Sequence, residues 1–273
     1  MTDRTDYFAR LRTRVDLRAL GDAWVVVVGV GSVGSAIAFE LARCGVGHLG
    51  LVDGDRLEAH NVARHALPLA YVGANKAEAM AAHLEHNVPG VDVGAVPHDV
   101  DEAFTETDID RLLASADVVV AATDDRMTQR RIARRALALD APAIIPGLYP
   151  DRGGEIFVQL GPGHACFLCW DGFREPDAEV RAASSVNADA FTVVQQAVYL
   201  SLAVLDAAPP HARDLAPTRG DPRPRQLFVV RPAAALLRAP VTRRPGCPSC
   251  AVGPSPLGDR ARQSRPPMER WPG

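Results

Sequence analysis

The chain predicts an α/β fold with a doubly wound, mostly parallel sheet, and three observations carry that expectation. Four consecutive valines, Val25–Val28, run straight into the turn Gly29-Val30-Gly31-Ser32-Val33-Gly34 and then a helical stretch, Ala36–Ala42. Short, continuously apolar runs such as His48–Val52 and Asp117–Ala122 recur with helical patterns between them, as strands buried on both faces of a parallel sheet do. Late in the chain, Gln226–Val230 and Ala235–Ala239 read as a hairpin, which extends the sheet with antiparallel strands. Together these describe a Rossmann-like architecture.

In order, Tyr7–Leu20 interleaves apolar residues with Arg10, Arg12, Arg14 and Arg18 and reads as a solvated amphipathic helix. Val25–Asp55 is the nucleating unit: strand, glycine turn, helix, then a second strand ending on Asp53, nineteen residues after Gly34. Glycines at Gly29, Gly31 and Gly34 let backbone approach phosphate, and a carboxylate at that distance is placed for ribose. The polar segment Gly54–His65 follows, with Asn61 and Arg64 three residues apart on one face of a turn. Gly73-Ala74-Asn75-Lys76 caps a helix reaching about Asn87, whose buried stripe is Ala77, Met80, Ala81 and Leu84. Val91–Val96 is a third strand and Ile109–Ser115 a short helix. Asp117–Ala122 ends in Thr123-Asp124-Asp125, beyond a strand's carboxyl end, where open α/β sheets bind ligands. Met127–Leu139 is a basic amphipathic helix, Ala143–Ile145 and Ile156–Leu160 are strands, and Arg174–Asp189 is a loop. Phe191–Ala207 is an apolar helix, and Ala208–Arg225, with five prolines, is a surface or disordered loop. Three units result: residues 1–20 as an N-terminal helix, 21–250 as the functional domain, and 251–273 as a disordered tail with no fold role.

The 273 residues suffice for a full core, and a formal net charge of −3 with a pI near 6.2 gives no basic field for nucleic acid. Thr2–Arg18 is charged throughout, so no targeting leader is expected. Phe191–Ala208 carries Gln195, Gln196 and Asp206 and reads as a buried helix rather than a membrane span. A soluble, cytoplasmic protein is expected.

Five cysteines are present, four of them as Cys166-x-x-Cys169 and Cys247-x-x-Cys250. In a cytosolic chain two such knuckles point to one structural Zn²⁺ held by four thiolates, tying the end of the chain back to its middle. A redox dithiol is disfavoured, because neither pair follows the first strand of a thioredoxin-like unit.

A glycine turn with a distal acid is also the mark of a dinucleotide oxidoreductase. Asp53, Asp55, Asn61, Arg64, Lys76 and Asp124, all expected near strand ends, shift the reading. Each alone is an ordinary surface group. As a set they suit a triphosphate with a divalent metal: cations on the oxygens, and a carboxylate on Mg²⁺.

Val27–Gly34, Val52-Asp53-Gly54-Asp55, Asn61-x-x-Arg64, Gly73-x-x-Lys76, Ala122–Asp125 and Arg244-Pro245-Gly246-Cys247-x-x-Cys250 resemble, in this order, the ThiF/MoeB/HesA adenylyltransferases. These are bacterial relatives of the ubiquitin-activating enzymes. The resemblance covers about Val25 to Cys250 and implies ATP and Mg²⁺ binding. It also implies adenylation of the C-terminal carboxylate of a ubiquitin-like or sulfur-carrier protein, or of a peptide, with release of pyrophosphate. By the same resemblance Asp53 holds the ribose hydroxyls, Asn61, Arg64 and Lys76 contact the phosphates, and Asp124 holds magnesium. A homodimer is implied, with an arginine from the partner's N-terminal helix on the triphosphate; Arg10, Arg12 and Arg14 are the candidates here.

Two departures stand out. The family's usual glycine in the turn is Ser32, and the stretch between Cys169 and Phe191 has no cysteine. The expectation is an enzyme that stops at the acyl-adenylate and has no thioester cysteine of its own. Cys44, at the end of the first long helix, is read as packing. The rival reading is a catalytically inactive relative that binds a ubiquitin-like partner as a scaffold.

Overall fold

The computed structural model describes residues 3–100, 104–149, 153–172, 187–215, 217–221, 224–230, 236–251, 253–255 and 257. Helices α1 (Arg4–Tyr7) and α2 (Leu17–Asp22) lead into β1 (Trp24–Val28), α3 (Ser32–Cys44) and β2 (His48–Val52). Next come α4 (Lys76–Asn87), β3 (Asp92–Val96), α5 (Glu106–Leu113), β4 (Val118–Ala121), α6 (Arg126–Ala138), β5 (Ala143–Tyr149) and β6 (Gly153–Gln159). Helices α7 (Phe167–Asp171) and α8 (Asn187–Val204) precede β7 (Leu227–Val230) and β8 (Leu236–Ala239).

The strands form one sheet in the order β3-β2-β1-β4-β5-β6-β7-β8. The first five are parallel and the last three antiparallel. The expected Rossmann-like, mostly parallel sheet extended by antiparallel strands is therefore what forms. Strand β1 explains why its valines are unbroken: Val25 and Val27 join the core under α3, α4 and α8, while Val26 and Val28 join the core under α5 and α6. Chain leaves β1 toward β2 on one side and β4 lies on the other, so strand order reverses at the glycine turn and opens a crevice there.

Two glycines of the turn are sterically required. Gly29 has φ +88°, and a Cβ there would lie 2.5 Å from the Thr123 amide nitrogen. At Gly34 a Cβ would sit 1.9 Å from the Gly29 carbonyl oxygen, so α3 could not pack onto its own turn. Gly34→Ala is accordingly expected to destabilise the fold by about 2 kcal/mol or more, read as a lower midpoint in urea unfolding with an unchanged slope.

Several expectations shift. The helix expected over Tyr7–Leu20 does not form as one: α1 ends at Tyr7, residues 8–15, with Arg10, Arg12 and Arg14, are turns and a bend, and α2 starts only at Leu17, where Asp16 accepts the Arg18 and Ala19 amides as N-cap. Strand β5 runs on through Pro146 and Gly147 to Tyr149, past the expected stop at Ile145; β6 pairs with it residue for residue from Ala143↔Gln159 to Tyr149↔Gly153. That antiparallel partner also starts β6 earlier than Ile156. Helix α8 begins at Asn187, inside the expected loop Arg174–Asp189; the rest of that loop, with Ser184 and Ser185, lies outside the described residues. Within Ala208–Arg225, Pro210–Leu215 forms a 3₁₀ helix with Ala212 fully buried, and Arg219 pairs with Asp140 at 2.9 Å. The expected tail of no fold role begins later than Ala251. Ser255 is buried, its Oγ donating to Asp110 at 2.8 Å and its amide to the Ala138 carbonyl at 2.7 Å. Residues 258–273 lie outside the described set.

Helix α8 is the buried helix expected, with Val193, Ala197 and Leu200 in the core. Among the described residues, no helix is long and apolar enough to cross a membrane.

Candidate functional site

The carboxyl ends of β1, β2, β4 and β5 enclose a crevice of about 440 Å³. Gly29, Gly31, Asp53, Asp55, Asn61, Arg64, Lys76 and Asp124 all line it. Residues up to 95 apart in the chain thus meet because their strands are neighbours. Gly34 is the exception among the expected residues. It is buried against Gly29 and shapes the turn from behind.

Nothing lies within 4 Å of where a Cβ on Gly31 would be, and α3 starts there without a side-chain cap. Backbone amides and the positive end of a thirteen-residue helix therefore face open space, the arrangement that takes an anionic group.

Asp53 is anchored rather than free. Its Oδ2 accepts the Val30 amide at 2.6 Å and its Oδ1 the Asp55 amide at 2.9 Å, so one carboxylate braces the glycine turn and the next loop. Burial raises its pKa above the usual carboxylate value, against the pull of Lys76 and those two amides. Lys76 opens α4 behind its N-cap Asn75, whose Nδ2 donates to the Asp53 and Asp55 carbonyls at 2.9 and 3.2 Å. The Lys76 side chain is only 12% exposed and its ammonium reaches Asp55 Oδ2 at 2.7 Å, while the Asp55 side chain is 75% exposed. The asymmetry holds a cation at the crevice wall on a carboxylate that water still screens.

Asn61 accepts the Glu58 amide at 3.0 Å and orders the turn that carries Arg64, whose carbonyl accepts from Ser32 Oγ at 3.1 Å. Ser32, the departure from the glycine pattern, thus ties the glycine turn to the Arg64 segment. Asp124 is exposed at the end of β4, while its neighbour Asp125 is used internally. Asp125 caps α6 by accepting from the Met127 and Thr128 amides and the Thr128 hydroxyl.

The sequence reading missed other lining groups. Gln129 donates to the Ala121, Thr123 and Pro146 carbonyls, pinning the end of β4 to β5. His65 sits behind the turn with Nδ1 accepting the Leu67 amide at 3.1 Å, so Nε2 carries the proton and donates to the Val30 carbonyl at 2.7 Å. Its only signal in the sequence was its place one residue after Arg64. Burial lowers its pKa from 6.5, and the neutral ring is the one these bonds require. With the folded pKa depressed, its stabilisation is whole above pH 6.5 and is lost as pH falls toward the folded value. His65→Gln is expected to cost roughly 1–3 kcal/mol at neutral pH, and the melting-temperature gap to wild type should narrow below pH 6.5. Arg126 and Tyr149 also line the crevice, on its β4–β5 side.

The four paired cysteines form a second site. Their Sγ atoms all lie within 4.8 Å of one another, with 3.6 Å between Cys166 and Cys247, 3.5 Å between Cys169 and Cys250, and 3.4 Å between Cys250 and Cys166. Tetrahedral zinc with bonds of about 2.3 Å sets its sulfurs about 3.8 Å apart, so the donor set fits that metal. Cys166, Cys169 and Cys247 are buried and Cys250 half-buried. The Arg244 amide donates to Cys169 Sγ at 3.3 Å, a bond that favours a thiolate. Cys44, at the end of α3, is apart from this group. Burial first, then Glu40, push its thiol up to about 11 against Arg43, so it is protonated at neutral pH.

Comparison with known proteins follows the same lines. The sequence profile of the ThiF family matches residues 7–230. A maize protein, adenylyltransferase and sulfurtransferase MOCS3-1, is 32% identical over 153 residues, which is 56% of this chain and 32% of that one. The sulfur carrier protein ThiS adenylyltransferase of Escherichia coli is 29% identical over 169 residues, 61% of this chain and 65% of that one. This chain thus spans about a third of the length of the maize relative it matches. Among solved structures, E. coli MccB with ATP superposes with a TM-score of 0.68 at 18% identity, over 86% of this chain and 68% of that one. At that identity the likeness speaks for the fold.

Proposed function

Because this chain belongs to the ThiF family, we propose that it is an ATP-dependent adenylyltransferase that activates the C-terminal carboxylate of a ubiquitin-like or sulfur-carrier protein, or of a peptide. The observation that carries the reading is the convergence of the glycine turn, Arg64, Lys76 and Asp124 on one crevice. A dinucleotide needs the glycine amides and a single acid; this set also supplies cations for a triphosphate and an open carboxylate for its metal.

In the proposed reaction the α3 N-terminus and Gly31 receive phosphate, and Asp53, locked by the Val30 and Asp55 amides, faces the ribose hydroxyls. Asn61, Arg64 and Lys76 draw charge from the phosphate oxygens, and Asp124 would hold Mg²⁺, which when bound neutralises phosphate charge. A substrate carboxylate oxygen forms a bond to the α-phosphorus, and the bond to the bridging oxygen breaks with its electron pair leaving on pyrophosphate. Lys76→Ala and Arg64→Ala are expected to lower the rate by roughly 10²- to 10³-fold each.

The test is isotope exchange from labelled pyrophosphate into ATP, with small carrier proteins encoded beside this chain as acceptors. Exchange that depends on an acceptor with a free C-terminus supports the reading; acceptor binding without exchange points to the inactive scaffold instead. A homodimer, in which Arg10, Arg12 or Arg14 serves the partner's crevice, belongs to the same proposal, as does a cytoplasmic location.

The product is expected to remain an acyl-adenylate until a separate nucleophile consumes it. Four thiols are gathered in the cysteine cluster, and Cys44 lies about 15 Å along α3 from Gly34. After incubation with ATP and acceptor, a non-reducing gel should show no adduct that reductant removes. A reducible adduct absent in Cys44→Ser would overturn this.

A further inference from the structure

We propose that Arg126 binds the acceptor carboxylate in the crevice and that Asp171, from the thiolate-cluster helix, is its positioning residue; this rests on the adenylyltransferase reading.

The sheet order lays out the crevice. Asp53, Asp55 and Lys76 cluster around the end of β2, the glycine turn follows β1, and Asp124 follows β4. Pro146, Gly147, Leu148 and Tyr149 of β5 close the far side. Ribose and phosphates therefore have their groups on the β2–β1 half, with Asp124 at its border with β4. The second substrate, also an anion, is left the β4–β5 half, where Arg126 lines the wall.

Arg126 occupies an unfavourable place for a cation, the first residue of α6, at the positive end of the helix dipole. Something must offset that cost. Asp171, fully buried at the end of α7, pairs with both Arg126 and Arg130. One carboxylate facing two guanidinium groups leaves the trio with net positive charge, available to a further anion. Arg126 remains 24% exposed on the crevice while Asp171 holds it from below.

The anchor is rigid because α7 is the thiolate knuckle itself. Cys166 caps it and Cys169 is the middle one of its five residues. Its Phe167 amide donates to Gln159 at 3.0 Å, and its Trp170 indole donates to buried Glu155, which sits opposite Gly147 in the β5–β6 pairing. The cluster that holds the chain together thus also backs the acceptor side of the crevice.

The test is calorimetric titration of the full chain with two probes: ATP·Mg²⁺, and 5′-O-[N-(N-acetylglycyl)sulfamoyl]adenosine, an adenylate analogue whose acyl carbonyl oxygen stands for the carboxylate oxygen left to Arg126 and whose capped nitrogen, like a peptide's, carries no charge. Wild type should bind both. Arg126→Ala should weaken the acyl analogue about tenfold or more, the loss of one charge-assisted contact, with ATP affinity within about threefold. Arg126→Lys should recover part of the loss. Asp171→Asn should show the same selective loss with metal content and the far-ultraviolet spectrum unchanged, which a merely structural role would not produce. If Asp171→Asn does not fold, Arg126→Ala, which leaves Arg130 on Asp171, carries the test. An unchanged ratio of the two affinities in Arg126→Ala, or an equal loss of both, overturns the proposal while leaving the adenylyltransferase reading intact. A wild-type protein that binds neither probe overturns both.

Discussion

Asp124→Ala is expected to abolish pyrophosphate exchange, by about 10³-fold or more, while the protein stays folded. The size of the effect follows from where charge builds: the carboxylate would hold the metal against the α-phosphate and the departing pyrophosphate, and that charge is greatest in the transition state. The harmlessness to the fold follows from geometry. Asp124 is exposed, and its side chain makes no hydrogen bond among the described residues. The adjacent Asp125 supplies the control. It caps α6 through two amides and a hydroxyl, so Asp125→Ala should cost about 1 kcal/mol of stability and lower exchange less. Wild-type exchange in Asp124→Ala would remove the residue from the mechanism. A melting transition lowered in Asp124→Ala rather than in Asp125→Ala would mean that their roles are reversed.

The second large effect is expected at the thiolate cluster. Purified protein should carry one zinc per chain by elemental analysis. Cys166→Ser should lose it and destabilise the fold by on the order of 4 kcal/mol, the range of a lost metal cross-link. Cys166 is fully buried at the start of α7, and its sulfur meets Cys247, 81 residues later, and Cys250, 84 residues later, so its loss opens two of the long closures that gather the cluster. Chelator should lower the wild-type melting temperature toward that of Cys166→Ser. ATP binding should change less, because the glycine turn, Asp53 and Lys76 are braced by β1, β2 and α4, not by α7. Zinc-free protein with an undiminished melting temperature would refute the structural role.

Much of the fold could be read from the chain because local chemistry and global packing agree there. Val25–Val28 can only be a strand buried on both faces, and Gly29 and Gly34 sit where any side chain would collide with backbone. The cysteine spacing likewise pointed to its own cluster, since two Cys-x-x-Cys pairs are a familiar four-sulfur donor set, and the fold brings their sulfurs within 4.8 Å of one another. Element ends were less legible. Pro146-Gly147 looks like a break, yet β6 offers a full antiparallel partner and the strand continues through it. The N-terminal arginines look like one helix face, yet Arg10, Arg12 and Arg14 lie in turns between α1 and the helix that Asp16 caps.

What the sequence alone determined is the parallel α/β unit, its glycine turn, the residues at its strand ends and the paired cysteines, because each depends on contacts among near neighbours or on a fixed spacing. What only the tertiary structure decided is which groups serve each other across the chain. Asp53 braces the Val30 amide, His65 holds the carbonyl of that same residue, Ser32 meets the Arg64 carbonyl, and Asp171 gathers Arg126 and Arg130 from forty-five and forty-one residues away. A buried charge or polar atom takes whatever partner the packed strands and helices bring within about 3 Å, since leaving it unpaired costs more than the bond returns. No periodicity in the sequence encodes that partner, because the adjacency exists only once the sheet has ordered its strands.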